Sequence, residues 1–398
     1  MRHVTDRERR ARLGRRQGLA AEGKLATVED ATRAMTVLHA TEPPSPYLSL
    51  WARVPGVTRA DVDRALHDDR TLVKQLSMRR TLFVFPRDLL PAGLGSAAAR
   101  VAVTERNRNR KDLVTAGVTD DPDRWLADAE RAVLALLADG RARSAPELRA
   151  ELPELAGSFV GSPDKPYAAT VQFANRVVTQ LGAEGRLARA VNGGHWRISK
   201  PTWTTPDRWL GEAIEPTDEA DGYAELVHRW LWTFGPGTVE DIQWWLGSTK
   251  TAVRQALATL GAVEVTLDGP GPSNGWLRSD DLDVVEDPEP WVSLLPVLDP
   301  TIMGWKERTW YLDDRKPLLF DTAGNAGTSV WVDGRVVGVW IQDADGVVEV
   351  RLLEPQPADV CARLRAEAAA LTEWVGHERV STIYPSTAMK DPALTTPA

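Results

Sequence analysis

The sequence predicts an α+β protein, with three tandem winged-helix domains followed by a β-rich, barrel-like C-terminal domain. Three observations carry that expectation. An order of helix, helix, helix and two extended segments recurs three times, which chance explains less readily than a single instance. Both later copies end their third helix in Leu-Gly, within "VVTQLGAEGRL" and "QALATLGAVEV", where glycine suits a helix C-terminus. After the Pro/Asp-rich "EDPEP" the texture turns to alternating and apolar strands.

In the first copy, Val28, Ala31, Met35 and Leu38 recur at helical spacing and give one helix an apolar face. Ser45-Pro46 reads as an N-cap followed by proline at the first helical position. Thr58 with Asp61 makes a capping box for a helix running towards His67. "LVKQLSMR" and "RTLFVFP" then read as a pair of strands. The second copy has a helix over 124–138 and another opened by Ser144, with Glu147 at the capping-box position. Its third helix covers about Ala168 to Leu181, and "RLARAVNGGHWRI" reads as two strands around an Asn-Gly-Gly turn. The third copy runs from Glu219 to about Leu282.

The final domain is expected to hold strands in "WVSLLPVLD", "TWYLDD" and "TSVWVDGRVVGVWIQDADGVVEVRLLE", with a last helix from about Ala358 to Trp374. Asp333-Gly334 and Asp345-Gly346 are hairpin signals there. The expected divisions are 1–112, 113–205, 206–286 and 287–380, with residues 381–398 as a frayed tail.

Charge is unevenly spread. Residues 1–112 hold 22 Lys+Arg against 13 Asp+Glu, a balance of +9, and the rest holds 26 against 43, or −17, giving the net −8. A basic N-terminal quarter, with seven arginines in the first sixteen residues, points to an anionic partner, or else to arginine-rich helices that solvate their own surface. In the second copy, Gln172, Asn175, Arg176 and Gln180 line the third helix, the element with which winged helices read nucleic acid; an ordinary solvated face is the alternative.

The longest apolar runs, such as Val336 to Ile341, are far too short for a membrane span. The start lacks an apolar signal-peptide core. One cysteine, Cys361, excludes internal disulfides and multi-cysteine zinc sites, and reads as a buried small side chain in a cytoplasmic setting. The doublets Asp68-Asp69, Asp120-Asp121, Asp280-Asp281 and Asp313-Asp314 read as surface turns, so no metal site is expected. His195 and His228 read as structural.

The stretch "LHATEPPSPYLSLWAR", residues 38–53, stands apart. Glu42 and Pro43 each precede a proline and are pushed towards extended geometry. If the backbone is already extended at 39–41, His39 and Thr41 share a side with Glu42 adjacent. In regular helix they would face apart.

This stretch resembles the segment of AlkZ/YcaQ-like winged-helix DNA glycosylases that carries a catalytic Gln-x-Gln or Gln-x-Asp motif. The likeness rests on Pro43, Tyr47, Leu48, Leu50, Trp51 and Arg53, on "MRRTLFVFP", on "LLPVLDPTIMGWKERTWYL" and on "VDGRVVGVW". It extends over about residues 5 to 375. His39 and Thr41 stand where the family keeps its first and second motif residues, and Glu42 where it keeps Asp. The resemblance implies tandem winged helices around duplex DNA and removal of alkylated purines without a metal or redox cofactor.

On that basis His39 and Thr41 are expected to position a water beneath the sugar, both side chains being able to donate and accept. Histidine can also serve as a base near neutral pH. Glu42 is expected to stabilise positive charge developing on the sugar. Arg53, Arg79 and Arg80 are expected to grip flanking phosphates. Lys306 and Arg308 are expected to face DNA from the C-terminal domain, and Arg335, near the tip of the Val332–Gly338 hairpin, to probe a groove. The expected form is a cytoplasmic monomer acting on duplex DNA. A non-catalytic DNA-binding protein on the same scaffold and, more remotely, a protein-interaction scaffold are the alternatives.

Overall fold

The computed structural model describes residues 1–161, 169–269 and 273–397. The chain forms two compact units, one of residues 1–72, 84–86 and 224–398, the other of residues 73–83 and 87–223.

In the first unit, Thr5 caps the helix Asp6–Arg16 by accepting the Glu8 amide. Its arginines are largely occupied within the unit. Arg12 is buried and binds Glu8 and Asp281, Arg16 binds Asp281, and Arg15 donates to the carbonyls of Glu286 and Asp287. The basic N-terminal segment therefore meets its anionic partner in the acidic stretch Asp280–Asp287 of its own chain. The expected capping box at Thr58 and Asp61 is present, and the helix Arg59–Asp63 continues as a wider turn through Asp68. Ser45 is not an N-cap: the helix Ser45–Trp51 begins at Ser45 itself, and its hydroxyl donates to the Val297 carbonyl at 2.7 Å.

The third copy contributes the helices Glu219–Phe234, Val239–Leu246 and Lys250–Thr259 and the antiparallel strands Val263–Leu267 and Ser273–Leu277. His3–Val4 adds a parallel strand to that pair. Gly261 takes the expected left-handed position after the third helix. In the second copy Gly182 lies inside its helix against Trp203, and Gly185 takes that position instead.

The C-terminal region is an open sheet, not a barrel. Val292–Leu295, Ser329–Val332, Arg335–Gln342 and Val348–Leu352 form one antiparallel sheet in chain order, with the first and last strands as its edges. The helix Ala358–Val375 packs on it through Val360, Leu364, Leu371 and Val375, burying the face that closure would otherwise hide. Cys361 is buried in that helix, as expected.

"TWYLDD" forms the short helix Thr309–Leu312 instead of a strand. Glu307 Oε1 accepts the amides of Arg308 and Thr309, and Trp310 and Tyr311 enter a run of ring contacts from Phe234 through Trp305 to Trp331. Residues 381–397, expected to fray, are tied down. The Leu352 amide donates to Thr395, Arg351 donates to the Asp391 carbonyl, and Ser386 is buried.

The second unit holds the helices Ala99–Thr115, Pro122–Leu137, Ala145–Glu151 and Phe173–Ala183. The Ser144–Glu147 capping box is present. The third helix starts at Phe173, later than expected; the strand Ala169–Gln172 precedes it, pairs with Ser158–Gly161, and brings Phe173 5.4 Å from Phe159. Ala168 lies outside the described residues. The return strand of the hairpin is Pro201–Thr204, beyond "HWRI". Asn192 explains the delay, since its side chain binds the backbone of Gly194, Ile198 and Lys200 and holds the intervening loop. Ala129, Val133, Leu148, Val177 and Leu181 form this unit's core.

Candidate active site and nucleic-acid interface

The site is built by a short run of backbone in which every change of direction has a local cause. The helix Val28–Ala34 is capped by Thr27 and stops before Thr36, which sits at φ 64° and bonds its hydroxyl to that of Thr233 at 2.8 Å. A left-handed threonine is strained, and here it turns the chain into the two-residue strand Leu38–His39. The strand ends there, a bend occupies Thr41 and Glu42, and Pro43-Pro44 lead into Ser45–Trp51. The alternation that would put His39 and Thr41 on one side thus does not extend past His39.

Burial separates the three motif residues. His39 is 6% exposed and Glu42 7%, while Thr41 is exposed. Glu42 Oε1 accepts two hydrogen bonds of 3.0 Å, from the Thr382 hydroxyl and the Ile383 amide. The carboxylate lines a cavity of about 260 Å³ whose walls include Trp340, Gln342, Arg379 and Met389.

Behind the motif lies a fully buried ion pair. Arg53 Nη2 is 2.7 Å from Asp299 Oδ1 and donates to the Thr301 hydroxyl, while Arg53 Nη1 bonds Asp299 Oδ2 and the Ser49 carbonyl. Ser49 donates to the same carboxylate at 2.6 Å, and the Thr301 hydroxyl donates to Gln17 Oε1 at 2.7 Å. Burial pushes the Asp299 carboxyl up, but Arg53, Ser49 and the Thr301 amide outweigh it and hold it below the usual carboxylate range. The pair holds the buried helix Ser45–Trp51 through the Ser49 hydroxyl and carbonyl. Tyr47, on that helix, donates to Asp63 at 2.5 Å, and its phenol is pushed up by burial and then by that carboxylate.

This changes the status of several arginines. Arg53 is 0% exposed and both its Nη atoms are engaged, so it is a structural anchor and offers nothing to a phosphate. Arg308 is likewise buried, with its guanidinium carbon 4.7 Å from the ring centroids of both Trp244 and Phe320. Lys306, two residues earlier, is exposed. Arg335 is half-buried and pairs with Asp313 at 2.6 Å. The tip of its hairpin is seated, not projecting: a Cβ on Gly334 would lie 2.5 Å from Arg10 Cβ.

In the second unit, Arg80 is exposed and Arg79 half-buried at the turn between Leu72–Ser77 and Thr81–Pro86. Of the polar residues expected on the third helix of the second copy, Gln172 ends the preceding strand, while Arg176 and Gln180 face inward, Arg176 to Asp112 and Gln180 to Asn109 and Glu130. Asn175 stays exposed and Gln172 half-buried.

Among the described residues no three His, Cys, Asp or Glu side chains converge as a metal site. No helix of theirs is long and apolar enough to cross a membrane. Asp299, Ser49 and the Thr382–Ile383 pair carry no motif of their own in the sequence. Asp299 is visible there only as the acid of "LLPVLDP", with nothing to say which arginine it meets.

A family profile described as DNA glycosylase AlkZ-like matches residues 32–374, and the chain belongs to that AlkZ-like family, whose members hydrolyse N-glycosidic bonds in DNA. Among solved structures, Streptomyces sahachiroi DNA glycosylase AlkZ shares the fold, with a TM-score of 0.71 at 20% identity over 94% of this chain and 98% of that one. No curated protein matches.

Proposed function

We propose that the protein is a monofunctional DNA glycosylase that removes N7-alkylated purines, bulky or crosslinked adducts included, from duplex DNA, and that it works as a cytoplasmic monomer. Alkylation at N7 makes the purine a good leaving group, so the site needs a placed water and negative potential more than an acid. Thr41, the motif residue that solvent reaches, holds the water; His39, enclosed behind it, orients or deprotonates it. Glu42 stabilises the oxocarbenium-like sugar as positive charge develops. The observation that supports this best is the held carboxylate: Glu42 is fixed by Thr382 and Ile383 beside exposed Thr41, within the span of the family match.

The three helix-and-hairpin copies, over 1–112, 113–205 and 206–286, are read as winged helices that carry the duplex, with 287–380 behind the site. Arg79, Arg80 and Lys306 supply phosphate contacts; Arg53, Arg308 and Arg335 are left out for the reasons of burial and pairing given above.

The test uses duplex DNA containing N7-methylguanine, or a bulky N7 adduct, with alkali-labile abasic sites as the readout. The wild type is expected to generate them. His39→Ala and Thr41→Ala are expected to lose the signal by at least about a hundredfold while still binding DNA, the low end of what a positioned proton-transfer group contributes. Abasic sites from neither substrate would overturn the substrate assignment. A Glu42→Gln protein as active as wild type would remove Glu42 from the mechanism.

A further inference from the structure

The turn Met78–Arg80 has the wrong residues for its backbone. Arg79 lies at φ 53°, ψ 28° and Arg80 at φ 61°. Two consecutive left-handed residues between strands are the geometry that Asn-Gly adopts without strain, whereas a side chain such as arginine is disfavoured at each position. Strain of this kind persists where surrounding contacts impose it and concentrates at functional sites.

The imposing contact is visible. Glu105, on the helix Ala99–Thr115 of the same unit, is 0% exposed, and both its carboxylate oxygens accept from Arg80, Oε2 at 3.1 Å from Nη2. Arg80 itself is 47% exposed along its side chain. The bidentate pairing engages Nε and Nη2 and leaves Nη1 without a partner among the described residues. Around it, Arg176 approaches Glu105 at 3.8 Å and pairs with Asp112, and Arg108 lies 3.9 Å from that same Asp112. Three arginines thus face two carboxylates. The excess is felt by Arg176, whose guanidinium is pushed down by burial and then by Arg108, with Arg80 adding to it.

We infer that the Arg79-Arg80 turn is a preorganised clamp for the phosphates of the duplex backbone, and that Glu105 is a positioning residue that aims Arg80 at them. The identity of the polyanion rests on the proposed action on DNA. Glu105 takes one edge of the guanidinium, fixes its plane and presents the other edge outward, so that little ordering remains when a phosphate arrives. The left-handed backbone sets the two arginines side by side at the turn, Arg80 exposed and Arg79 half-buried. Asn-Gly would make a more relaxed turn and have nothing to hold a phosphate with.

The test measures affinity of the full chain for a short undamaged duplex across a range of salt, with thermal melting alongside. Arg79→Asn keeps a residue that tolerates the left-handed position. It is expected to reduce the slope of log affinity against log salt by about one and to leave the melting temperature unchanged or raised. Wild-type slope and affinity in this variant would overturn the clamp, whatever happens to melting.

Glu105→Gln is expected to weaken binding on the order of threefold or more, and to have no further effect once Arg80→Gln is present, because coupled residues are non-additive. Additive losses would reduce Glu105 to a structural role. If either variant fails to melt cooperatively, Arg80→Lys decides the same point. It keeps the charge and loses the forked pairing, so undiminished affinity would remove the aiming. Since the readout is binding to undamaged DNA, a failed excision assay leaves this result standing, and an unchanged slope with excision intact sinks the clamp alone.

Discussion

Arg53 and Asp299 show how little a residue's type says about its use. A fully buried pair is weak evidence for net stability, but removing one partner leaves the other charge uncompensated. Arg53→Ala is therefore expected to cost about 3–5 kcal/mol in urea unfolding, and a loss under about 1 kcal/mol would mean the pair is not an anchor. The pH dependence has a definite sign. The Asp299 carboxyl is held below its usual value in the folded state. Its contribution is therefore complete above the unfolded value of about 3.9 and fades as pH falls through the lower, folded value. The stability gap between wild type and Asp299→Asn is expected to narrow on acidification through that window. A gap that widened there would contradict the depressed carboxyl. In the sequence Arg53 is one arginine among many. What makes it an anchor is Asp299 arriving from 246 positions later.

Elements bounded by local chemistry are legible in the sequence. The boxes Thr58/Asp61 and Ser144/Glu147 and the Asp333-Gly334 turn each depend on atoms within a few residues, and each forms. Their energetics differ with what they touch. Ser144→Ala is expected to cost about 1 kcal/mol, a lost cap. Gly334→Ala is expected to cost more, because φ is +81° and the new Cβ would strike Arg10, adding a clash to the roughly 1–2 kcal/mol of left-handed strain. Melting curves of the two variants check the order, and equal losses would mean the hairpin tip is not seated as described. The elements that escape a sequence reading are those fixed from a distance. "TWYLDD" becomes helical because Trp310 and Tyr311 enter a ring cluster and Glu307 caps the turn. The final residues are held because Leu352, Arg351 and Glu42 bind them.

For the whole molecule, charge counts mislead where pairing decides. The +9 of residues 1–112 suggests a polyanion-binding arm, yet Arg7, Arg12, Arg15 and Arg16 are met by Asp281, Glu286 and Asp287 or their carbonyls. Arg7→Gln and Arg15→Gln are accordingly expected to leave the salt dependence of DNA binding unchanged, in contrast to the Arg79 variant. A slope lowered by about one for either would place the N-terminal helix in the interface.

The sequence by itself determined the mixed α+β class and the capped helix starts at Thr58 and Ser144, and it set the expectation that the segment 39–42 is the place to look. These follow from periodicity, turn chemistry and caps, whose partners are a few residues apart. Only the tertiary structure decided which arginines are reachable, that the C-terminal sheet stays open, and that Glu42 is held by the chain's own final segment. Those outcomes depend on burial and on contacts between residues far apart in sequence, and no local pattern encodes where such partners meet.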